Sequence, residues 1–185
     1  MGIANSSSAS ALYCAYLSLS PELITGPGSG AKKEMLEHKK QVITAALTKY
    51  KKIIEDGDPI AILATFGGYE IAMLAGIMLS CAACSKPFLV DGFICASAYI
   101  AASHIFPPLV DYAFFAHSSA EPGFKLVLSA LPEKVKPLLE LSMRLGEGTG
   151  AALAVPLLRG ACAIFNDMAT MDEALVSAHE EDRLD

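Results

Sequence analysis

Lys86-Pro87-Phe88-Leu89-Val90-Asp91-Gly92 is the stretch that decides the fold class. A short apolar run stopped by Asp-Gly reads as a buried parallel strand with a polar residue at its carboxyl end. A helix of small residues is expected from Phe93 to about His104, and Tyr112 to Ala116 reads as a second buried strand, ending in His117-Ser118-Ser119-Ala120-Glu121-Pro122-Gly123. Strand, helix and strand in this order predict an α/β layered fold with a mostly parallel sheet flanked by helices. Two or three strands are few for such a sheet, which needs neighbours and cover on both faces.

Upstream, a small polar opening leads into an apolar helix from Ala9 to Leu19, and Gly26-Pro27-Gly28-Ser29-Gly30 is too broken for regular structure. One amphipathic helix is expected from about Lys32 to Ile54. Asp58-Pro59 then supplies a cap and a first helical residue. Gly67-Gly68 divides that helix from the next, which runs from Tyr69 to about Cys84. Downstream, helices are expected over Gly123 to Leu131, after Pro137, from about Ala151 to Met168 and from Met171 to His179.

The 185 residues fit a single α/β domain, and 53% apolar against 18% charged residues specify a chain with a core. A net charge of −6 argues against a nucleic-acid partner, which requires a basic surplus. The lysines clustered between Lys32 and Lys52 are mixed with Glu34 and Glu37 at helical spacing and read as a solvated helix face. Cys81 and Cys84 have C-x-x-C spacing without a second ligand pair, so they read as reduced thiols, with no metal. Residues 60 to 85 are apolar enough to span a bilayer, yet Gly67-Gly68 and Glu70 interrupt them, so two buried helices and no membrane are expected. With no secretory signal in view, the expected location is cytoplasmic.

Ligands of open parallel sheets sit outside the carboxyl ends of the strands. Asp91, Ser118 within the 117 to 121 segment, and Gly146-Glu147-Gly148-Thr149-Gly150 fall there and are expected to face one cleft. Glycines on both sides of Glu147 let backbone approach a ligand and leave the carboxylate in a narrow, poorly hydrated setting, where it would gain basicity. The alternative is a carboxylate that only accepts backbone hydrogen bonds at a helix start. Gly2-Ile3-Ala4-Asn5-Ser6 before a helix offers amides and hydroxyls suited to a phosphate. His117 beside Ser118 makes no catalytic triad, because neighbours on an extended chain point to opposite faces and no nucleophile elbow exists.

In order along the chain, Met1-Gly2-Ile3-Ala4-Asn5-Ser6-Ser7-Ser8-Ala9, Gly26-Pro27-Gly28-Ser29-Gly30, Gly67-Gly68-Tyr69-Glu70-Ile71-Ala72, Asp91-Gly92-Phe93, His117-Ser118-Ser119-Ala120-Glu121-Pro122-Gly123 and Met143-Arg144-Leu145-Gly146-Glu147-Gly148-Thr149-Gly150-Ala151 resemble one family. It is the nicotinate-nucleotide:dimethylbenzimidazole phosphoribosyltransferases of cobalamin lower-ligand assembly. The likeness runs through essentially the whole chain and corresponds to the carboxy-terminal half of the family's fold, with residues 151 to 185 as helices of its smaller helical part.

The resemblance implies a Rossmann-like sheet, a homodimer, no cofactor and no metal. It also implies transfer of the phosphoribosyl group of nicotinate mononucleotide to 5,6-dimethylbenzimidazole, giving alpha-ribazole phosphate and nicotinate. Glu147 falls on the family's general base and Leu145 on a wall of the base pocket. Gly2, Ile3, Ala4, Asn5 and Ser6 match the phosphate loop, and Lys39 aligns with a lysine reaching that phosphate. Asp91, Ser118, Gly146 and Gly148 complete the expected substrate-binding set. Ala4 stands where glycine is frequent, and Pro27 where arginine is often found. A large amino-terminal part of the family, with a second active-site glutamate, has no counterpart, so Met1 is expected to be an internal methionine of a longer parent. The chain is then expected to need that missing half, the other possibility being a remnant that binds nucleotide or a partner chain without turnover.

Overall fold

The computed structural model describes residues 4–28, 33–133, 135–143, 145–171 and 173–174. It is a helix-rich mixed α/β chain that divides into two compact units, Met1–Ala154 and Val155–Asp185. In order, the first unit contains α1 (Ser6–Leu17), α2 (Pro21–Ile24), α3 (Lys33–Lys49), α4 (Lys51–Asp56), α5 (Pro59–Phe66), α6 (Tyr69–Ala83), β1 (Phe88–Val90), α7 (Phe93–Ile105), a 3-10 turn (Pro107–Tyr112), β2 (Ala113–Phe115) and α8 (Phe124–Ser129). α9 (Thr149–Asp167) begins in the first unit and continues into the second. Pro156, which lacks the amide an interior helical residue would donate, lies beside that boundary.

α1 is the centre of the first unit, packed on α2, α3, α5 and α7. Every residue from Ala9 to Ala15 is buried. A helix apolar around its whole circumference has no face to give to water, so it is enclosed rather than laid on a surface. Facing it, α7 buries Ala96, Ala98, Ala101 and Ala102. Small residues on both helices bring the two backbones close, and larger groups fasten them. The Tyr13 phenol donates to the Phe93 carbonyl, and its ring meets the Phe93 ring edge-on at 5.0 Å. Burial pushes the Tyr13 pKa well up, which keeps the phenol a neutral donor. Tyr16 reaches α5, donating to the Pro59 carbonyl at 2.6 Å.

The strand, helix and strand around Asp91 form as the sequence predicts, with β1 and β2 parallel in the register Phe88 to Ala113, Leu89 to Phe114 and Val90 to Phe115. Both strands are shorter than expected, and residues 107–112, whose structure was not anticipated, form the 3-10 turn opened by two prolines. The Asp58 cap holds, its carboxylate accepting the Ile60 amide at 2.9 Å. The expected helix 32–54 is two helices, interrupted at Tyr50 (φ −106, ψ 24), where the tyrosine ring turns its edge to Phe66 of α5.

The helix expected after Pro137 does not form. Residues 138–143 run alongside the end of β2 instead. Leu138 and Leu139 donate to the carbonyls of Phe115 and Ala116 at 2.8 and 3.0 Å, Ser118 donates to Leu139 at 2.9 Å, and Ala120 donates to Met143 at 2.8 Å. β2 would otherwise leave buried carbonyls unpaired, and satisfying them outweighs a weak helical preference.

Tyr13→Phe is expected to destabilise the chain by about 1 kcal/mol, the usual net worth of one internal hydrogen bond. The check is a lower denaturant midpoint with an unchanged slope, since the core itself keeps its shape.

Candidate active site

The site grows from Asp91, which stands directly after β1. Its side chain is buried, and its carboxylate accepts the amides of Gly148 at 3.2 Å and Ala151 at 2.9 Å. These amides lie at the start of α9, where a helix has donors without intrahelical partners and a partial positive charge that suits an anion. One carboxylate thus joins the end of the sheet to the turn that carries Glu147, across a sequence distance of about sixty residues.

That turn is unusual in its backbone. Gly146, Glu147 and Gly148 have φ of 79, 57 and 77, so three successive residues are left-handed. Glycine adopts this freely, but glutamate does so at a cost on the order of 1–3 kcal/mol, which persists only where the surroundings impose the geometry. Asp91 imposes it here from one side. Glu147 itself is exposed, and so is Leu145, at 74%. The poorly hydrated setting expected for the carboxylate is therefore not supplied by the described residues of this chain.

A second group forms at the amino end of α1. Lys39 Nζ, carried by α3, donates to Ser6 Oγ and to the Gly26 carbonyl, both at 3.0 Å. Asn5 precedes the helix without closing it through its side chain, while the Ser7 amide donates to the Ala4 carbonyl at 3.2 Å. Gly26 and Gly28 are required by close approach. A Cβ at residue 26 would meet Glu121 Oε2 at 2.6 Å, and one at residue 28, where φ is +58, would meet Ser6 Oγ at 2.9 Å. Burial lowers the pKa of the half-buried Lys39, opposed by the charge of Glu121. Ala4 takes φ of 66, which explains physically why glycine would suit that position. Gly2 and Ile3 lie outside the described residues.

Ser6 and Lys39 are thus brought together, as are Asp91 and Gly148. The segment from His117 to Glu121 links the two groups. His117 packs against Gly92 and Gly150 at one end, while Glu121 lies against Gly26 at the other. Four peptide links span at most about 14 Å, so both groups border one region at the ends of the strands. Ser118 is half-buried there. A cavity of about 270 Å³ between Val110 and Lys136 and an open apolar groove along α6 between Met73 and Lys86 are lined by none of the predicted site residues.

Sequence reasoning missed the buried setting of His117, the proximity of Glu121 to Gly26 and Lys39, and the role of Asp91 as an acceptor for the turn. Only Gly92 and Gly150 hinted at His117, since a glycine can mark a neighbouring side chain but does not say which.

A phosphoribosyltransferase family model matches residues 1–176. A nicotinate-nucleotide:dimethylbenzimidazole phosphoribosyltransferase of Solidesulfovibrio magneticus is 51% identical over 177 residues, 96% of this chain and 49% of that protein. The chain belongs to this phosphoribosyltransferase family. The enzyme of the same name from Pseudomonas syringae pv. syringae is 46% identical over 177 residues, with the same two coverages of 96% and 49%. The crystal structure of CobT from Thermus thermophilus superposes with a TM-score of 0.86 at 41% identity, covering 96% of this chain and 51% of the other. The chain therefore spans about half the length of the family members it matches.

The two Asp91 bonds are expected to govern the turn before any ligand is considered. Asp91→Asn leaves one carbonyl oxygen where two carboxylate oxygens accepted. Amide exchange at Gly148 and Ala151 should accelerate about tenfold, corresponding to roughly 1.4 kcal/mol, while amides in the centre of α7 keep their rates.

Proposed function

We propose that this chain contributes the base-bearing and phosphate-holding part of an enzyme that transfers the phosphoribosyl group of nicotinate mononucleotide to 5,6-dimethylbenzimidazole. The observation that carries the reading is the Glu147 turn, kept left-handed by the buried Asp91 carboxylate. A strained acidic residue that two fixed hydrogen bonds hold in position is suited to meeting a reacting atom.

Transfer requires the bond between the anomeric carbon and the nicotinate nitrogen to break as a benzimidazole nitrogen forms its own bond to that carbon. Nicotinate leaves with the electron pair on its ring nitrogen, and the incoming imidazole must lose its N–H proton. Glu147 accepts that proton. Lys39, Ser6 and the opening amides of α1, with Gly2, Ile3, Ala4 and Asn5 as the rest of the loop, hold the nucleotide phosphate at a distance from the bond that breaks, which converts binding energy into alignment. Leu145 and Gly146 flank the base, and half-buried Ser118 completes the substrate-binding set with Asp91 and Gly148.

Exposure of Glu147 and Leu145 supports a covering body beyond the described residues of this chain. Such cover would desolvate the carboxylate and raise its basicity. In the second unit, Leu157, Ile164 and Phe165 are exposed, the last at 88%. α9 is long and apolar enough to cross a bilayer by length and composition alone, but Arg159, Asn166 and Asp167 within it favour a helix that packs on protein. We read the cover as the counterpart of the other half of the relatives, in a cytoplasmic homodimer whose Rossmann-like sheet that half completes. A remnant that binds nucleotide without turnover is the second reading, favoured by the same exposure.

Incubation with nicotinate mononucleotide and dimethylbenzimidazole, alone and with the complementary half of the Solidesulfovibrio relative, separates the two. Alpha-ribazole phosphate should appear in the combined sample, and Glu147→Gln should lower its rate about a hundredfold to ten-thousandfold. Unchanged turnover in that variant removes Glu147 from the mechanism. Nucleotide binding with no product in any mixture favours the remnant.

The phosphate grip carries its own pH signature. The ammonium form of Lys39 attracts the phosphate, and burial lowers its pKa below the ordinary 10.5. Affinity for the nucleotide, followed by calorimetry, should fall as pH rises through that lowered value, and Lys39→Arg should abolish the fall.

A further inference from the structure

His117 is the buried group that the proposed chemistry leaves unused. It is 3% exposed, and its Nδ1 is enclosed with no hydrogen-bond partner among the described residues. The ring stands between two glycines. A Cβ at Gly92 would come within 3.1 Å of its Cε1, and a Cβ at Gly150 would fall 2.0 Å from Nδ1. Gly150 is in the first turn of α9, where alanine would ordinarily stabilise a helix. Here the space for any side chain is taken by the imidazole.

Three neighbours follow from this one ring. Gly92 is joined directly to Asp91, Gly150 directly to Ala151, and Ala151 donates to Asp91. The imidazole therefore sits inside the loop closed by the Asp91 bonds and limits how far α9 can approach the end of β1. We propose that His117 is a positioning residue for Glu147: its ring fixes where α9 starts, and so holds the left-handed Gly146–Gly148 turn at the distance Asp91 can bridge. This inference rests on Glu147 being the proton acceptor, but its physical core, the contact between residues 117 and 150, does not.

The test uses this chain with His117→Ala, His117→Asn, Gly150→Ala and the His117→Ala/Gly150→Ala double variant. In amide exchange, His117→Ala should speed Gly148 and Ala151 at least tenfold while the centre of α7 is unchanged, and His117→Asn, which returns a polar atom near Nδ1, should recover most of the protection. In thermal unfolding, Gly150→Ala should lower the midpoint in the parent chain and lower it far less when His117 is already alanine. In the reconstituted transferase, His117→Ala should reduce kcat about tenfold or more with KM for the nucleotide within twofold, because the phosphate grip lies elsewhere. Protection within twofold of the parent in His117→Ala, or an equal cost of Gly150→Ala in both backgrounds, overturns the proposal. If His117→Ala does not fold, His117→Asn and Gly150→Ala carry the same comparison. Turnover lost in Glu147→Gln but kept at its full kcat in His117→Ala sinks the positioning role alone. Turnover indifferent to Glu147→Gln sinks the functional reading, and the exchange data still decide the contact.

Discussion

A single carboxylate accepting two amides holds the site together. Asp91 is fixed by the sheet because it directly follows β1, and its acceptors reach Gly148 and Ala151 at the opposite end of the sequence. A hydrogen bond to a charged group is stronger than a neutral one, and two of them on one side chain define direction as well as distance. Their combined worth is of the same order as the strain of placing a glutamate at positive φ. That balance explains how Glu147 can occupy a conformation that its own backbone disfavours. Without the anchor, the turn between two glycines would have little to select one shape.

The anchor depends on the seat of β1, which packs on α7, and α7 in turn packs on α1. β1 and β2 make just three residue pairs, too few to persist by themselves. The layer beneath them is stiff because the two helices are lined with alanine and fastened by Tyr13 and Phe93. Close-packed interiors tolerate little displacement, and Asp91 at the end of β1 joins this layer to the turn that carries Glu147. The contact between Lys39 and Ser6 is built on the same α1, whose amino end carries Ser6.

Much of this was legible in the residues, for identifiable reasons. Asp58-Pro59, Gly67-Gly68 and Asp91-Gly92 mark boundaries because caps, glycine and proline act within a few residues of themselves. The segment after Pro137 misled because its structure is decided by β2, a long-range partner whose free carbonyls are invisible to local pattern. Tyr50 broke an expected helix for the same reason, its ring being claimed by Phe66 on another element. In the site, the Gly146–Gly150 run identified the turn and its glutamate, whereas the acceptor and the buried ring that shape it lie about sixty and thirty residues away. Spacing along the chain carries no information about such pairs unless a fold is already assumed.

The exposure of the turn follows from the same architecture. Among the described residues, the long-range contacts at the Glu147 turn come through Asp91 and the ring of His117, and Glu147 stays exposed. An acid held so firmly yet left open to water is only half of a working environment: position is supplied, and desolvation is not. The two requirements separate cleanly in this chain because they depend on different surfaces. Geometry is a property of the sheet end and the first turn of α9, which the chain contains complete. A low local dielectric is a property of whatever covers the opening. In the second unit, Leu157, Ile164 and Phe165 are apolar and exposed. A body that covered the opening would lower the dielectric around Glu147, and a body that buried those side chains would remove apolar area from solvent.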